Sequence, residues 1–512
     1  MKSYRASLLS QVTRHSYSHE SIIDISMEVC YILLGSIIML IPTLVGLILL
    51  VPIYLLILCF DNRKRETSNS GSAPRVPLFG HLFHFLVNSN FLKNPPSAFL
   101  QISSLDNGDG VVIDFGVLRP YKMKLITKAS TASEILKSNS IYFKGPAYDA
   151  FREVTPKHLP GLDGANATIM RMKYIKSVSR HLDMFAKLSF EHHFSLIDSI
   201  AEMKSTVCLN DTIRFASLSV IYTVAFGEKI DMTSETVRIF ISALHFLMTE
   251  WHERIVAIVP WFKFPLFPRN RRVYNARNIF SSFIKDKMST PILENCLLRT
   301  LVEEGSDMDE VVNIIFTFLA MGHENVSSVV TWAWFHLLKD GDNNLSLACQ
   351  DLVEKVKEKK SLVVNYWEML KSIMDERCAV QYFTNELLRM YPAVPMLSRT
   401  NKESNVVEEI LVCPYVQQRL PLWEASSTFK YDRWDKLGKD SPQMDYYMPF
   451  GIGDRGCPGQ LLGRIQVFSA ILSYSKLHLW KNLVPVSELQ SVSPEMKISL
   501  RPSLIYVKNK KL

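Results

Sequence analysis

The longest apolar stretch of the chain runs from Val29 to Phe60 and contains 32 residues without a charged side chain. A helix needs about 20 apolar residues to cross the hydrocarbon core of a bilayer, so this stretch predicts a single membrane anchor over 29–60. Cationic residues, Arg63, Lys64 and Arg65, follow it directly. Because cationic flanks stay on the cytoplasmic side, residues 1–28 are expected to be lumenal and the rest of the chain cytosolic.

Residues 61–80 are polar and carry Pro74 and Pro77, which predicts a basic, proline-containing hinge. Beyond the hinge, helix-like periodicity dominates, and strand-like runs such as 111–116 are few and short. The sequence therefore predicts that 81–512 form a mainly α body with small β-sheets, an α+β fold.

The clearest predicted helix spans 306–340, with Ser306 and acidic residues at its start and Gly341 as its end. It is apolar nearly all round, as expected of a helix that crosses the middle of a large domain. Its interior nevertheless contains Gly322, His323, Glu324 and Asn325. Buried polar groups need partners, so we expect a ligand, a water chain or polar neighbours at this point.

The segment 255–275 combines three prolines with a crowd of aromatic residues and ends in Arg269, Arg271 and Arg272. This pattern is typical of contact with a membrane interface, and it also fits the ordinary packing of an irregular loop. The sequence leaves both interpretations open.

Composition narrows the class of protein. With 47% hydrophobic and 21% charged residues, the chain is not disordered. The 58 basic and 50 acidic residues give a net charge of +8, which suits an acidic partner face or an anionic membrane but is too small and dispersed to indicate nucleic acid. None of the eight cysteines forms a C-x-x-C pair, so a zinc ribbon, a thioredoxin-type site and a dense disulfide scaffold are unsupported.

One cysteine, Cys457, stands in a glycine-rich loop just before an apolar helical pattern; the loop reads FGIGDRGCPG over 450–459. Backbone N–H groups and the dipole at a helix N-terminus favour thiolate over thiol, so Cys457 is predicted to be an anionic metal ligand. The glycines, including Gly451 and Gly459, let the backbone approach a flat cofactor closely. Arg455 could pair with an anionic edge of that cofactor.

The pattern F-G-x-G-x-R-x-C-x-G resembles the haem-binding loop of the cytochromes P450. The resemblance implies haem b with Cys457 as the axial iron ligand, held in a loop that includes Phe450, Gly451 and Gly459. It also implies that Arg455 binds a haem propionate.

Further motifs follow the family's order. Glu386-Leu-Leu-Arg389 matches its E-x-x-R pair, which is structural in the family and is locked to the segment before the cysteine loop. Phe429–Trp434 is similar to the following P-x-R-F/W segment, with Tyr431 in place of proline. Arg399 stands where the family places a propionate-binding arginine.

On this resemblance, 306–340 is the long helix over the haem. Gly322 then lets O₂ and substrate approach, Glu324 is the acidic member of a proton relay, and Asn325 replaces the usual threonine that holds water. This asparagine, with Cys-Pro-Gly in the loop, is similar to the sterol 7α- and 12α-hydroxylases and to prostacyclin synthase.

Two regions depart from the family pattern. Met172–Lys176 stands where W-R/K-x-x-R is usual, and it leaves Lys176 as the expected propionate contact. The segment between Arg399 and Phe429 is short and lacks the hairpin that helps to line the substrate pocket in the family, which leaves the substrate and the activity open.

The resemblance implies a monooxygenase of the endoplasmic reticulum membrane that takes electrons from NADPH through a flavoprotein reductase. It would insert one oxygen atom of O₂ into an apolar substrate, such as a sterol or a fatty acid. Three alternatives remain: a haem-thiolate isomerase or dehydratase acting on a peroxide, a degenerate haem-binding protein, and a tethered scaffold without haem.

Overall fold

The computed structural model describes residues 93–510, with gaps at 107, 109, 115–121, 258–260, 265, 341, 361–365, 404–407, 487 and 498. The predicted lumenal tail (1–28), anchor (29–60) and hinge (61–80) lie outside the described residues. Within the described ranges, no helix is both long enough and apolar enough to cross a bilayer.

Helices make up most of the described chain. In order they are α1 Pro95–Ser103, α2 Ala129–Lys137, α3 Asp149–Val154, α4 Gly164–Ser179, α5 Leu182–Ala201, α6 Leu209–Phe226, α7 Glu235–Val256, α8 Pro268–Ser289, α9 Leu297–Glu303, α10 Met308–Asp340, α11 Asn343–Lys360, α12 Tyr366–Met374, α13 Ala379–Met390, α14 Pro414–Gln417, α15 Arg433–Lys436, α16 Gln460–Leu472 and α17 Leu477–Trp480.

The strands are short and form three small sheets among the described residues. They are β1 Val111–Ile113, β2 Lys122–Ile126, β3 Tyr142–Lys144, β4 Val207–Cys208, β5 Leu397–Asn401, β6 Glu408–Val412, β7 Leu483–Pro485, β8 Pro494–Met496, β9 Leu500–Pro502 and β10 Tyr506–Asn509. Their orders are β1-β2-β6-β5-β3, β4-β10-β7 and β8-β9. The mainly α fold with small sheets is confirmed.

The central helix α10 has 33 residues and packs most extensively against α6 and α16. Its start is fixed reciprocally: the Glu310 N–H donates to Asp307 Oδ1 (2.8 Å), and the Asp307 N–H donates to Glu310 Oε2 (3.2 Å). This arrangement is a capping box, which satisfies two N–H groups that a helix start leaves open. The predicted buried helix over 306–340 is therefore present, with its first turn beginning two residues later.

A fully buried ion pair joins Glu386 and Arg389 one turn apart on α13. Arg389 Nη2 donates to Glu386 Oε1 (2.8 Å) and Nε donates to Oε2 (2.9 Å), and both side chains are 0% exposed. Burial opposes ionisation of Glu386, but the hydrogen bonds from Arg389 and the Lys430 N–H hold its pKa below the usual value. The pair therefore stays charged in the core.

The same pair holds the segment that leads to the cysteine loop. Glu386 also accepts from the Lys430 N–H and from Trp434 Nε1, each at 2.9 Å. Arg389 donates to the Gln418 carbonyl (2.7 Å), and Gln418 Oε1 accepts from the Met448 N–H (3.0 Å). The lock implied by the E-x-x-R resemblance is present, and it ends two residues before Phe450.

The short segment after Arg399 does not interrupt the sheet. Strand β5 pairs with β6 in antiparallel register, from Leu397 opposite Val412 to Arg399 opposite Ile410, and β6 runs parallel to β2. Only 402–407 connect β5 to β6. Strands β5 and β6 therefore form an antiparallel hairpin, so the expectation that this segment lacks a hairpin was wrong; only the residues usual in the family's hairpin are missing from the sequence.

Replacing Glu386 by glutamine should lower the free energy of unfolding by about 3–5 kcal/mol, because Arg389 would remain buried without a counter-charge. Urea-induced unfolding followed by tryptophan fluorescence measures this change. The exposed pair Arg299–Glu303 provides the control: Arg299→Ala should cost less than about 1 kcal/mol. Equal losses in the two variants would contradict the assigned role of the buried pair.

Candidate active site

The loop before α16 is a series of tight turns that returns Cys457 to Phe450. The Cys457 N–H donates to the Phe450 carbonyl (2.8 Å), and the Gly456 N–H donates to the Gly453 carbonyl (2.9 Å). Gly451 (φ 66°) and Gly453 (φ 71°) adopt left-handed conformations that favour glycine. Gly451 and Gly453 are therefore required by the backbone path itself, whereas Gly456 (φ −57°) and Gly459 (φ −94°) adopt conformations open to other residues.

Cys457 lies in a recess. Its side chain is accessible to solvent, yet the surrounding protein raises the pKa of the thiol through desolvation. The Gly459 N–H and Arg171 act in the opposite direction but do not reverse the shift. The expected preference for thiolate is therefore not established by the protein alone, and a bound metal cation would have to supply the rest.

Helix α10 passes beside this recess. A Cβ built on Gly463 would lie 3.6 Å from Phe450 Cε1 and 3.8 Å from Val326 Cγ2. Val326 directly follows Glu324 and Asn325 on α10, so the polar turn of the central helix adjoins the cysteine loop. The structure thus brings together two motifs that lie more than a hundred residues apart in the sequence.

Glu324 and Asn325 are both available for polar chemistry. The Glu324 side chain is buried, and its Oε2 lies 3.7 Å from Arg214 Nε. Asn325 Nδ2 makes a weak contact with Met321 Sδ (3.9 Å), and its buried Oδ1 has no hydrogen-bond partner among the described residues. A free amide oxygen at this point can accept a hydrogen bond from water or from a ligand.

Gly322 has a packing role that the sequence did not indicate. A Cβ at this position would overlap with Ile221 Cδ1 of α6. A side chain at this position would therefore force the end of the Ile221 side chain to move, and the expected role of Gly322 in the access of O₂ stays a prediction.

A cationic cluster, defined as Lys144, Arg399 and Arg455, lies next to the loop. Lys144 and Arg399 are opposite each other on β3 and β5. Arg455 pairs with Asp163 (Nη2 to Oδ1, 2.6 Å) and donates to the Tyr142 carbonyl (2.6 Å). Arg399 is buried; its Nη1 donates to the Ser398 carbonyl (2.9 Å), whereas its Nε has no partner among the described residues.

The charges of this cluster are not balanced. Burial lowers the pKa of Lys144 to about 7; Asp163 opposes this shift, and Arg399 and Arg455 add to it. Asp163 acts on both Lys144 and Arg455, and Asp454 also favours the charged form of Arg455. Three cationic side chains therefore share two carboxylates in these interactions.

These features fit a flat cofactor with an anionic edge. The buried, unpartnered Arg399 Nε and the excess positive charge suit two carboxylates of the kind that haem carries. The recessed Cys457 sulfur is a suitable donor for an iron ion. The donor set and the charge pattern are therefore compatible with haem.

Lys176 does not reach this site, contrary to expectation. Its side chain is 67% exposed and pairs with Glu304 (3.4 Å). Arg171 reaches the loop instead, where its Nη1 donates to the Gly456 carbonyl. Five residues correspond to about 140° of rotation around a helix, so the two side chains of α4 face different neighbours.

Sequence reasoning did not identify Lys144, Asp163 or Arg171 as site residues. Lys144 lies on a three-residue strand and Asp163 just before α4, and neither belongs to a motif that includes Cys457. Their association with the loop depends on contacts such as the one between Arg455 and the Tyr142 carbonyl, 313 positions apart. No local pattern in the sequence indicates such a contact.

Comparison with known proteins agrees with the geometry. The sequence model of the family described as Cytochrome P450 matches residues 72–508. Protein LUTEIN DEFICIENT 5, chloroplastic, from Arabidopsis thaliana is 23% identical over 69% of this chain. Premnaspirodiene oxygenase from Hyoscyamus muticus is 28% identical over 37% of this chain. The matched parts cover 64% and 39% of the lengths of those relatives.

Solved structures show the same fold. The crystal structure of the cytochrome P450DA heme domain superimposes with a TM-score of 0.67 and covers 86% of this chain and 97% of its own. The two sequences are 17% identical. The similarity therefore concerns the architecture.

Gly322→Ala should lower the free energy of unfolding by about 1–3 kcal/mol, because the new methyl group overpacks the contact with Ile221. Adding Ile221→Ala should make the double variant more stable than the sum of the two single losses predicts. Gly438, which has no close neighbour, provides the control, since Gly438→Ala should change the free energy by about 0.5 kcal/mol or less. An unchanged free energy of unfolding in Gly322→Ala would contradict the packing role and leave only the expected role of Gly322 in the access of O₂ and substrate.

In the protein without added cofactor, the free energy of unfolding should rise as the pH increases from about 7 towards 10.5, the ordinary pKa of Lys144. The pKa of Lys144 is depressed in the folded state, so the unfolded state binds more protons across this window. Lys144→Met should flatten the rise and stabilise the protein at pH 7, whereas Met at the exposed Lys187 should do neither. Urea titrations at pH 7 and pH 9 test this, and an equal rise in both variants would contradict it.

Proposed function

This chain belongs to the cytochrome P450 family, and we propose that it is a membrane-anchored haem-thiolate monooxygenase. The observation that carries the proposal is the accessible Cys457 in a loop whose turns require glycine at Gly451 and Gly453. The relatives that it matches include one named as an oxygenase. The reaction would insert one oxygen atom of O₂ into an apolar substrate.

The cysteine loop over 450–459 would hold one face of the proposed cofactor. Cys457 provides the axial thiolate, and Phe450, Gly451 and Gly459 belong to the loop that would lie against the haem. When bound, thiolate-ligated haem supplies the chemistry that activates O₂.

The cationic cluster would hold the two propionates. Arg399 offers its unpartnered Nε, and Arg455 would share its guanidinium between Asp163 and the cofactor. An anion beside Lys144 would favour its protonated form, in addition to Asp163 and to the Leu159 and Pro160 carbonyls to which its Nζ donates. Arg171, bonded to the Gly456 carbonyl, would fix the loop next to the ligand.

The polar turn of α10 would handle protons. Glu324 holds a proton or releases it at Oε2, and Asn325 Oδ1 accepts a hydrogen bond from water in place of the usual threonine hydroxyl. Both roles depend on water near Val326, where α10 adjoins the cysteine loop.

An apolar, sterol-like or fatty-acid-like substrate is part of this proposal, and it rests on the family resemblance. The aromatic side chains around Phe316 on α10 do not add to it, because Phe316, Trp251 and Phe280 are buried in the hydrophobic core and pack against one another.

We further propose that the protein lies at the endoplasmic reticulum membrane, with its anchor at 29–60 and the catalytic domain in the cytosol. The loop between α7 and α8 exposes Phe264 (64%), Leu266 (97%) and Phe267 (39%). Exposed apolar side chains in one short segment are typical of membrane contact. Electrons would come from NADPH through a flavoprotein reductase, whose acidic face suits a chain with a net charge of +8.

A peroxide isomerase or dehydratase and a degenerate haem-binding protein are less well supported. Asn325 and the short segment after Arg399 suggested them. However, the short segment leaves the five-stranded sheet complete, and the free Asn325 Oδ1 can still hold water.

The reduced carbon monoxide difference spectrum tests the proposal. The full-length protein should show the red-shifted band of thiolate-ligated haem, and Cys457→Ala should lose it because no sulfur ligand remains. Cys208→Ala is the matched control, since Cys208 lies on β4 and should leave the band unchanged. A spectrum typical of histidine-ligated haem, or a band that survives in Cys457→Ala, would contradict the assignment.

A further inference from the structure

A second polar group lies behind Glu324, on the side of α10 that faces α6 and α7. We call Arg214, His245, His323 and Glu324 the histidine cluster. The imidazole centroids of His245 and His323 are 5.5 Å apart, and His323 Nε2 lies 3.9 Å from Glu324 Oε2. Arg214 contacts both ends: its Nη2 lies 3.5 Å from His245 Nδ1 and its Nε lies 3.7 Å from Glu324 Oε2.

Hydrogen-bond partners fix the tautomer of each ring. His323 Nδ1 lies 2.6 Å from the Leu319 carbonyl, which only accepts, so the proton of neutral His323 is on Nδ1. His245 Nδ1 faces the Arg214 guanidinium, which only donates, so the proton of neutral His245 is on Nε2. Burial lowers the pKa of both rings, so both are neutral near pH 7.

These assignments leave two complementary atoms. His245 Nε2 is a donor and His323 Nε2 is an acceptor, and both are buried without a hydrogen-bond partner among the described residues. A water between the rings could accept from His245 and donate to His323 and to Glu324, which gives it three partners. Buried waters typically make about three hydrogen bonds.

The exposure of the side chains in the histidine cluster increases from Glu324 and His323 towards His245 and Arg214. Glu324 and His323 are buried (6% and 0% exposed), whereas His245 is half-buried and the Arg214 side chain is 31% exposed. Water that approaches beside Arg214 therefore reaches His245 at the more exposed end of the cluster, and His323 and Glu324 lie at its buried end. Arg214 cannot release a proton near neutral pH, so it orients the path without carrying the proton.

We propose that Glu324 is reprotonated from solvent through His323, with His245 and Arg214 as positioning residues that hold the delivering water. The proposal rests on the proposed monooxygenase function, which consumes protons. An excess proton from solvent first reaches the water bound to His245 Nε2–H. That water then gives a proton to His323 Nε2, so that one O–H bond breaks, one N–H bond forms and a neutral water remains. His323 returns the Nε2 proton through the same water to Glu324 Oε2 and becomes neutral again, because Nε2 and Oε2 are 3.9 Å apart, too far for direct transfer.

Electrostatics supports the transfer step. Burial disfavours the protonated form of His323, while the neighbouring Glu324 carboxylate favours it. The imidazolium therefore forms next to the group that removes its proton. The Nδ1–H bond to the Leu319 carbonyl stays intact throughout, which keeps Nε2 available to the water.

Nitrogen-15 NMR tests the tautomers directly. Full-length, haem-loaded protein labelled at its 13 histidines and held as the reduced carbon monoxide complex is compared with the two variants, which assigns the two rings. The signal lost in His323→Gln should belong to an Nδ1–H neutral imidazole, and the signal lost in His245→Gln to an Nε2–H neutral imidazole. This measurement does not depend on turnover, and an Nε2–H tautomer for His323 would overturn the proposal.

Proton delivery is tested by reductase-driven O₂ consumption with laurate as the apolar probe. His323→Gln and His245→Gln should slow it about tenfold, less than the roughly 100-fold that loss of a general acid itself costs, and should change the solvent deuterium isotope effect. His336 on the same helix is the control, because it is buried and bonded to Tyr391 (3.1 Å). His336→Gln should change neither quantity.

The outcomes separate the two proposals. A thiolate-type carbon monoxide band in the wild type and variants, with unchanged O₂ consumption and isotope effect in both histidine variants, would overturn the relay alone. Absence of the band in the wild type would overturn the monooxygenase function. If His323→Gln fails to fold, the wild-type tautomers and the half-buried His245→Gln still decide the matter.

Discussion

The buried ion pair between Glu386 and Arg389 is the constraint on which the rest of the site depends. Two opposite charges at 0% exposure are tolerated only when each remaining donor and acceptor is satisfied. The chain meets this requirement with the Lys430 N–H, Trp434 Nε1 and the Gln418 carbonyl. Hydrogen bonds to the ion pair therefore fix the path of 418–434. The Gln418 side chain extends this constraint to the start of the cysteine loop, because its Oε1 accepts from the Met448 N–H.

In both the cysteine loop and the cationic cluster, the surrounding protein disfavours the charged form of a side chain. A charge of opposite sign would favour that form in each case. Desolvation raises the pKa of Cys457, and burial beside two arginines lowers that of Lys144. A cofactor that brings a metal cation to the sulfur and two carboxylates to the cations would relieve both costs. The stability of the site and the binding of its cofactor are therefore expected to be coupled.

One turn of helix α10 contains both a residue that packs against α6 and residues with polar side chains. Gly322 faces α6, where a side chain would overlap with the end of Ile221, while Glu324 and Asn325 carry the polar groups. His323 has 0% exposure, although a polar residue in a buried helix is costly without partners. Its bond to the Leu319 carbonyl satisfies only one of its nitrogens, and the proposed water would satisfy the other. The stretch Gly322–Asn325, which interrupts the apolar sequence of this helix, thus serves both helix packing and polar chemistry.

The sequence by itself determined the mainly α fold, the central helix, Cys457 with its glycines and the Glu386–Arg389 pair. These features are local: a period of 3.6 residues, a turn that only glycine permits, or two charges one turn apart. Only the tertiary structure decided that Arg171 and not Lys176 meets the loop, that Lys144 and Asp163 join Arg455, and that His245 faces His323. Such contacts depend on how each helix is rotated about its axis and on which distant segments pack together, and no local pattern records either.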